Sequence, residues 1–352
     1  MNFPDSGIRG LIGRPAAWLE SKARAGDVVP SRVRLARNLA DERFPARAGD
    51  DEQARIRETI REAARAASYL SNSAYWPSEG LSDLDREALV ERRLASPAWA
   101  REKTGAGVVI DPGQMMALLI NEEDHLRLQC LIPGFDLIEA FRMADQLDDQ
   151  LGRRLGFAFC DRIGFLTACP TNAGTGLRAS LLLHLPALAL TEQLDAALKT
   201  AERQGANLRG PYGEGSETQG NLLQLSNRAT LGRTELEIIE QVERTGRQVI
   251  EKEQQARAIL LDKARHETED KIWRAYSILA NARVLTSDEF INLSSAVRLG
   301  LATGVLDRPE PALLSRLLVL TQPAHLQLLL DRTLDARELD VARAELVRRE
   351  FA

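Results

Sequence analysis

Cysteine, histidine clusters, lysine and long apolar runs are all scarce in this 352-residue chain, and all but the lysine scarcity close off a class of function. The three cysteines, Cys130, Cys160 and Cys169, have no C-x-x-C spacing, and His125, His184, His266 and His325 each stand alone. Neither a disulfide framework nor a zinc site is indicated, and no metal held by protein side chains is expected. No stretch approaches the ~18 consecutive apolar residues of a membrane span. The opening Met1-Asn-Phe-Pro-Asp5 lacks the basic and apolar regions of a secretory signal, so a cytoplasmic protein without membrane contact is expected. Lysine is outnumbered by arginine, six to forty, a ratio that codon bias explains more simply than function does. A formal net charge of −5 argues against direct nucleic-acid binding. No G-x-x-x-x-G-K-[ST] occurs, which excludes a P-loop. What is present is a 44% hydrophobic fraction, enough to bury a sizeable core in one large or two ordinary domains.

The densest chemistry lies between Arg162 and Pro186. An apolar run, Ile163 to Ala168, ends at Cys169-Pro170, passes through Thr171, Asn172, Gly174 and Gly176, and re-enters an apolar run at Leu181, which reads as strand, loop, strand. A thiol, two glycines and Arg178 fall within ten residues of one another, between elements that a sheet would hold rigid. Gly174 to Ala179 also fits a loose dinucleotide pattern, G-x-G-x-x-A, but the βαβ unit and trailing acid of that motif are missing. Upstream, Arg32 and Arg34 alternate within Val28–Asn38, and an extended segment sends both to one face. Such a pair calls for an anion, and phosphate matches its fork geometry; a solvated basic strand is the alternative.

Asn121 to Cys130 alternates too, with Leu126, Leu128 and Cys130 on one side and Glu123, His125, Arg127 and Gln129 on the other. A strand holding that far would set a carboxylate and an arginine on one face. The stretch 207–217, with Arg209, Gly213 and Glu214, reads as a mobile surface loop. Helical periodicity covers 50–68, Ser82 (as N-cap) to about Leu94, Leu137–Leu151 and Leu194–Ala201; strands are expected at Val108–Asp111, Met115–Asn121 and Gly220–Asn227. Thr234 and Glu237 form a capping box that opens a long helix. Beyond about 255 strand signals vanish, and helices follow at 256–281, 287–302, 312–320, 324–332 and 336–349, so a domain boundary is placed near 255.

Four stretches then fall into one pattern. S-R-V-R-L-A-R-N at Ser31, N-E-E-D-H-x-R at Asn121, C-P-T-N-x-G-T-G-L-R-A-S at Cys169 and R-G-x-Y-G-E-G-S-E at Arg209 resemble, in order, the motifs of the ATP:guanidino phosphotransferases, the family of creatine and arginine kinases. The resemblance implies an α+β fold: an antiparallel, glutamine-synthetase-like sheet flanked by helices, plus an all-α C-terminal domain. Its domains would be an N-terminal extension (1–26), a catalytic domain (27–255) and a helical domain (256–352) serving dimerisation and substrate or phosphoarginine binding. Glu123, as base, Glu214, as clamp, and the reactive Cys169 match the family's catalytic residues. Arg32, Arg34, Arg127, Arg178 and Arg209, with Ser31, Ala179, Ser180 and Gly213, match the site for ATP, which is used with Mg²⁺. Arg93 stands where bacterial members carry a histidine near the nucleotide, and arginine can still meet an anion there.

Only about thirty residues precede Ser31, so the helical lid that encloses small guanidines in creatine and arginine kinases is expected to be missing. The open site, the G-L-R-A-S loop and the helical C-terminus resemble the bacterial protein-arginine kinases of this family. That implies arginine-bearing protein substrates, such as a stress-response repressor, together with a zinc-containing activator protein, a Clp protease downstream and a homodimer. A phosphagen kinase acting on a free guanidino compound, and an inactive adaptor that reads phosphoarginine, are the alternatives. Those kinases carry R-D-x-x-R-A as a phosphoarginine pocket; here Asp340, Arg343 and Ala344 match while Leu339 replaces the first arginine, so a degenerate pocket is expected.

Overall fold

The computed structural model describes residues 7–20, 27–101, 104–210 and 219–352. Its strands are β1 (Val28–Arg37), β2 (Ala74–Pro77), β3 (Gly107–Ile110), β4 (Met116–Ile120), β5 (Leu126–Pro133), β6 (Phe159–Cys160), β7 (Gly164–Phe165), β8 (Leu177–His184), β9 (Ala206–Arg209) and β10 (Leu222–Asn227). Eight of them form one sheet in the order β2-β3-β4-β5-β1-β8-β10-β9, each neighbour antiparallel, while β6 and β7 pair separately.

Helices α1 (Ile8–Ile12), α2 (Asp50–Arg65), α3 (Asp83–Glu91), α4 (Leu137–Leu155), α5 (Pro186–Leu190), α6 (Leu194–Arg203) and α7 (Glu235–Lys263) accompany the sheet. The chain closes with α8 (Arg265–Asn281), α9 (Ser287–Thr303), α10 (Pro311–Leu320), α11 (Pro323–Leu330) and α12 (Ala336–Phe351). The N-cap expected at Ser82 and the capping box expected at Thr234 are both present, and Ser82 forms a full capping box with Asp85 as well.

Period two along the strands sorts the two faces of the sheet. One face buries Val33, Leu35, Leu128, Ala179 and Leu181 in a core shared with α2, α4 and α7. On the other, Leu119 and Leu131 join Trp18, Leu89 and Trp99 in a second core, to which α11 adds Ala324 and Leu328. That second layer covers only part of its face and leaves the charged residues of β1, β5 and β8 around an opening. The C-terminal helices have a core of their own, around Phe290, Leu314, Leu317 and Val347. Among the described residues no single helix is long and apolar enough to cross a membrane.

Helix α1 buries Ile8, Leu11 and Ile12. Three expectations are corrected. The apolar run Ile163–Ala168 contributes no strand to the main sheet: Phe165 bonds to Gly174, Leu166 to Ala158, and the run packs as a support for the cysteine loop. Residues 121–125 are a tight turn rather than strand, with Asn121 at positive φ and its N–H donating to the His125 carbonyl. Finally, α7 continues unbroken through residue 255, and the helix expected over 256–281 is instead interrupted at Ala264, where φ −143° and ψ 43° end α7.

Candidate active site

Strand register assembles the cations. Arg34 on β1 lies opposite Gln129 on β5 and opposite Arg178 on β8, while Arg209 on β9 lies opposite Gln224 on β10. Like charges directly opposite each other destabilise a sheet, so this row is costly unless something anionic lies over it. Arg32, Arg34, Arg127, Arg178 and Arg209 line one cavity of about 340 Å³, and Arg93, from the end of α3, completes the ring. Two glutamines that motif matching passed over also line it: Gln224 accepts from Arg32 at 2.7 Å, and Gln129 shares its wall. Strand alternation, which set Gln129 on the face of Arg127, was the signal for it.

Burial first, then the nearness of Arg93, Arg127 and Arg178, brings the Arg32 guanidinium down to about 9. Burial and the same kind of crowding, by Arg32, Arg127 and Arg178, depress Arg34 well below its ordinary value, with Glu122 opposing. Among the described residues the buried Arg34 Nε has no hydrogen-bond partner. An unsatisfied buried donor inside a group of mutually repelling cations is a site built for a polyanion.

A second cavity, of about 150 Å³, shares Arg34, Arg127 and Arg178 with the first and adds Glu122, Glu123, Asp124, Asn172 and Gly176. The turn at 121–125 divides its labour. Asn121 donates to the Gln53 and Gly105 carbonyls at 2.9 and 2.8 Å, Asp124 accepts from Asn38 and from the Ala168 N–H at 2.6 Å each, and His125 Nδ1 accepts from the Leu39 N–H at 3.1 Å. Those three fix the turn and leave the two glutamates facing the cavity. Arg127 pairs with Glu122, at 2.7 and 2.8 Å, rather than with Glu123, because the turn breaks the alternation on which a shared face for Glu123 and Arg127 depended. Burial, with Asp124 and Glu122 beside it, raises the Glu123 carboxyl, against the pull of Arg127 and of a hydrogen bond from Cys169.

Cys169 is half-buried, with Sγ 3.0 Å from Thr171 Oγ1. Its loop is held by Thr230, whose hydroxyl donates to the Thr171 and Ala173 carbonyls at 2.9 and 2.7 Å. Gly176 must be glycine: φ is +63° and a Cβ would sit 2.6 Å from the Ala36 carbonyl oxygen.

Other sequence candidates lie elsewhere. Ser31, one position out of phase with Arg32, turns to the helix side, donating to the Gly134 carbonyl and accepting from the Asp136 N–H, each at 2.8 Å. Ala179 is buried in the main core, and Ser180 is buried opposite Arg32, whose carbonyl its hydroxyl approaches at 3.5 Å. Gly213 and Glu214 lie outside the described residues. The expected phosphoarginine pocket is not open at Arg343. That side chain is buried, donating to the Thr321 and Leu285 carbonyls and to Asp340, and Ala344 is buried behind it.

Comparison with known proteins gives a consistent picture. The family model for the ATP:guanido phosphotransferase, C-terminal catalytic domain, matches residues 55–256, and that for the protein-arginine kinase McsB C-terminal domain matches 265–352. The chain is 42% identical over 343 residues to a protein-arginine kinase of Halothermothrix orenii, covering 97% of this chain and 98% of that one. It is 43% identical over 343 residues to a protein-arginine kinase of Symbiobacterium thermophilum, covering 96% and 97%. Among solved structures, the duplicated taurocyamine kinase of Schistosoma mansoni with bound transition state analogue components superposes with a TM-score of 0.60 at 28% identity, over 81% of this chain and 38% of that one.

Proposed function

The chain belongs to the ATP:guanido phosphotransferase family, and we propose that it is a protein-arginine kinase, moving the γ-phosphoryl group of MgATP to arginine side chains of proteins. The observation that carries this reading is the ring of Arg32, Arg34, Arg93, Arg127, Arg178 and Arg209 around one cavity, abutting a second that is walled by Glu123. The ring meets the triphosphate, and its unpartnered Arg34 Nε and depressed Arg32 are relieved when phosphate oxygens arrive. Mg²⁺, entering with the nucleotide, would supply charge neutralisation at the phosphates beside Arg32, Arg34, Arg127, Arg178 and Arg209. Among the described residues no three His, Cys, Asp or Glu side chains cluster to hold a metal.

At the acceptor, a guanidinium with a pKa above ~12 is a poor nucleophile until a proton leaves. Glu123, its carboxyl raised towards neutrality, takes that proton from the attacking nitrogen as the N–P bond forms and the bond to the ADP oxygen breaks. Cys169 and, by motif, Glu214 position the same group. The named relatives and the C-terminal match support protein-borne arginine as the acceptor. The repressor substrate, zinc-containing activator, Clp protease and homodimer belong to the same proposal on the resemblance alone. The test is incubation with MgATP and a mixed protein extract, followed by mass spectrometry that preserves acid-labile P–N bonds. Phosphoarginine on proteins is the expected result; phosphorylation of free arginine or creatine only would overturn the reading.

A further inference from the structure

Arg93 stands between two cavities. On one side is the arginine cavity; on the other is a small pocket of about 40 Å³ lined by Trp18, Glu91, Arg93, Leu318 and Gln322, so α10 and the entry to α11 reach almost to the nucleotide site. Helix α3 ends here in three consecutive charged residues with three different tasks.

Glu91 reaches into α11, accepting from the N–H groups of Ala324 at 2.9 Å and His325 at 3.0 Å and from His325 Nδ1 at 2.7 Å. Arg92 donates to the Ile12 carbonyl at 3.0 Å and to Gln114, and its Nη1 lies 3.3 Å from His325 Nε2. A carboxylate only accepts and a guanidinium only donates, so this fully buried imidazole is neutral, with its proton on Nδ1. Arg93 then turns into the cavity from a left-handed backbone, φ 59°. Its N–H donates to the Val90 carbonyl at 2.9 Å and its carbonyl accepts from Gln129 at 2.8 Å. A non-glycine residue seldom holds that conformation unless its surroundings impose it.

We propose that Glu91 and His325 are positioning residues for nucleotide binding: the clasp between α3 and the first turn of α11 holds Arg93 in the phosphate cavity, so the C-terminal helices form part of the donor site. The proposal rests on the assignment of the arginine cavity to ATP. With the clasp opened, the last turn of α3 loses its anchor, the backbone at 93 relaxes, and the guanidinium withdraws.

The experiment measures MgATP affinity by calorimetry on the full-length protein without acceptor, with KM for ATP, kcat and melting temperature alongside. Arg93→Ala should weaken MgATP about tenfold, the scale of one charge-assisted hydrogen bond. Glu91→Gln, which keeps the shape but removes the charge, should weaken it several-fold by raising KM for ATP with kcat nearly unchanged. His325→Asn, which keeps a donor for Glu91 and abandons Arg92, does the same and serves if Glu91→Gln fails to fold. The Glu91→Gln/Arg93→Ala double variant should bind no worse than Arg93→Ala alone. Multiplying losses in the double variant, or unchanged affinity in any single one, would overturn the proposal. A protein that shows this pattern yet phosphorylates no protein arginine keeps the clasp and loses only the acceptor assignment.

Discussion

Arg343 offers the sharpest choice between a regulatory and a structural role. Its Nε donates to the Thr321 carbonyl at 3.0 Å, and its Nη1 to the Leu285 carbonyl at 2.8 Å and to Asp340 at 2.7 Å; the residue is 2% exposed. Thr321 ends α10 and Leu285 precedes α9, so one side chain ties three helices together. Arg343→Ala strands two carbonyl oxygens, each costing about 1–3 kcal/mol when left buried without a donor. Asp340 is partly exposed and rehydrates, adding little. The sum, about 4 kcal/mol, corresponds to roughly a 10 °C fall in melting temperature at 2–4 °C per kcal/mol. Leu339 packs at the edge of the same core, so Leu339→Arg should cost stability and restore no response to phosphoarginine. Thermal melting followed by circular dichroism, with free phosphoarginine titrated against the kinase rate, gives both readouts. An Arg343→Ala protein that melts with the wild type yet has lost a strong activation by phosphoarginine would refute this reasoning and show a working pocket.

Two further outcomes follow from the site. Glu123→Gln should reduce phosphoryl transfer by ~10²–10⁴-fold with MgATP binding retained. Because the carboxyl is raised by burial and by its acidic neighbours, its ionised form opposes folding above its ordinary range, so the substitution should not lower the melting temperature, and the wild-type rate should fall as pH drops through a limb above the usual glutamate range; near wild-type turnover with the limb in place would remove the base assignment. Iodoacetamide should label Cys169 well before Cys130, which is fully buried and whose thiol burial pushes up strongly, and Cys169→Ala should lose activity; equal labelling with full activity would make Cys169 an inert packing residue.

Much of this was legible in the sequence, wherever a strict period or a cap wrote it. Period two put Arg32 and Arg34 on one face, and a strand through Arg127 and Gln129 carried the same logic to β5. Ser82 and Thr234 announced the starts of their helices because capping boxes are local hydrogen-bond patterns. The failures share a cause as well. An apolar run says that residues are buried, not what they bury against, so Ile163–Ala168 read as strand although it props up a loop. The choice between Glu122 and Glu123 as the partner of Arg127 depended on where a turn begins, which alternation cannot show. Arg343 matched a motif letter while its surroundings had already engaged its Nε and Nη1, and the clasp from Glu91 to His325 spans 234 positions that no local pattern connects.

The crowded ring of arginines also sets the resting state of the molecule. Six guanidinium groups around one opening behave as a small ion-exchange resin, and between turnovers the cavity will be loaded with whatever anions the solution supplies. On the proposed assignment of the ring to ATP, nucleotide capture is then a displacement of those anions. Phosphate or sulfate in a buffer will stabilise the fold by mass action and weaken apparent ATP affinity to the same degree that it does so.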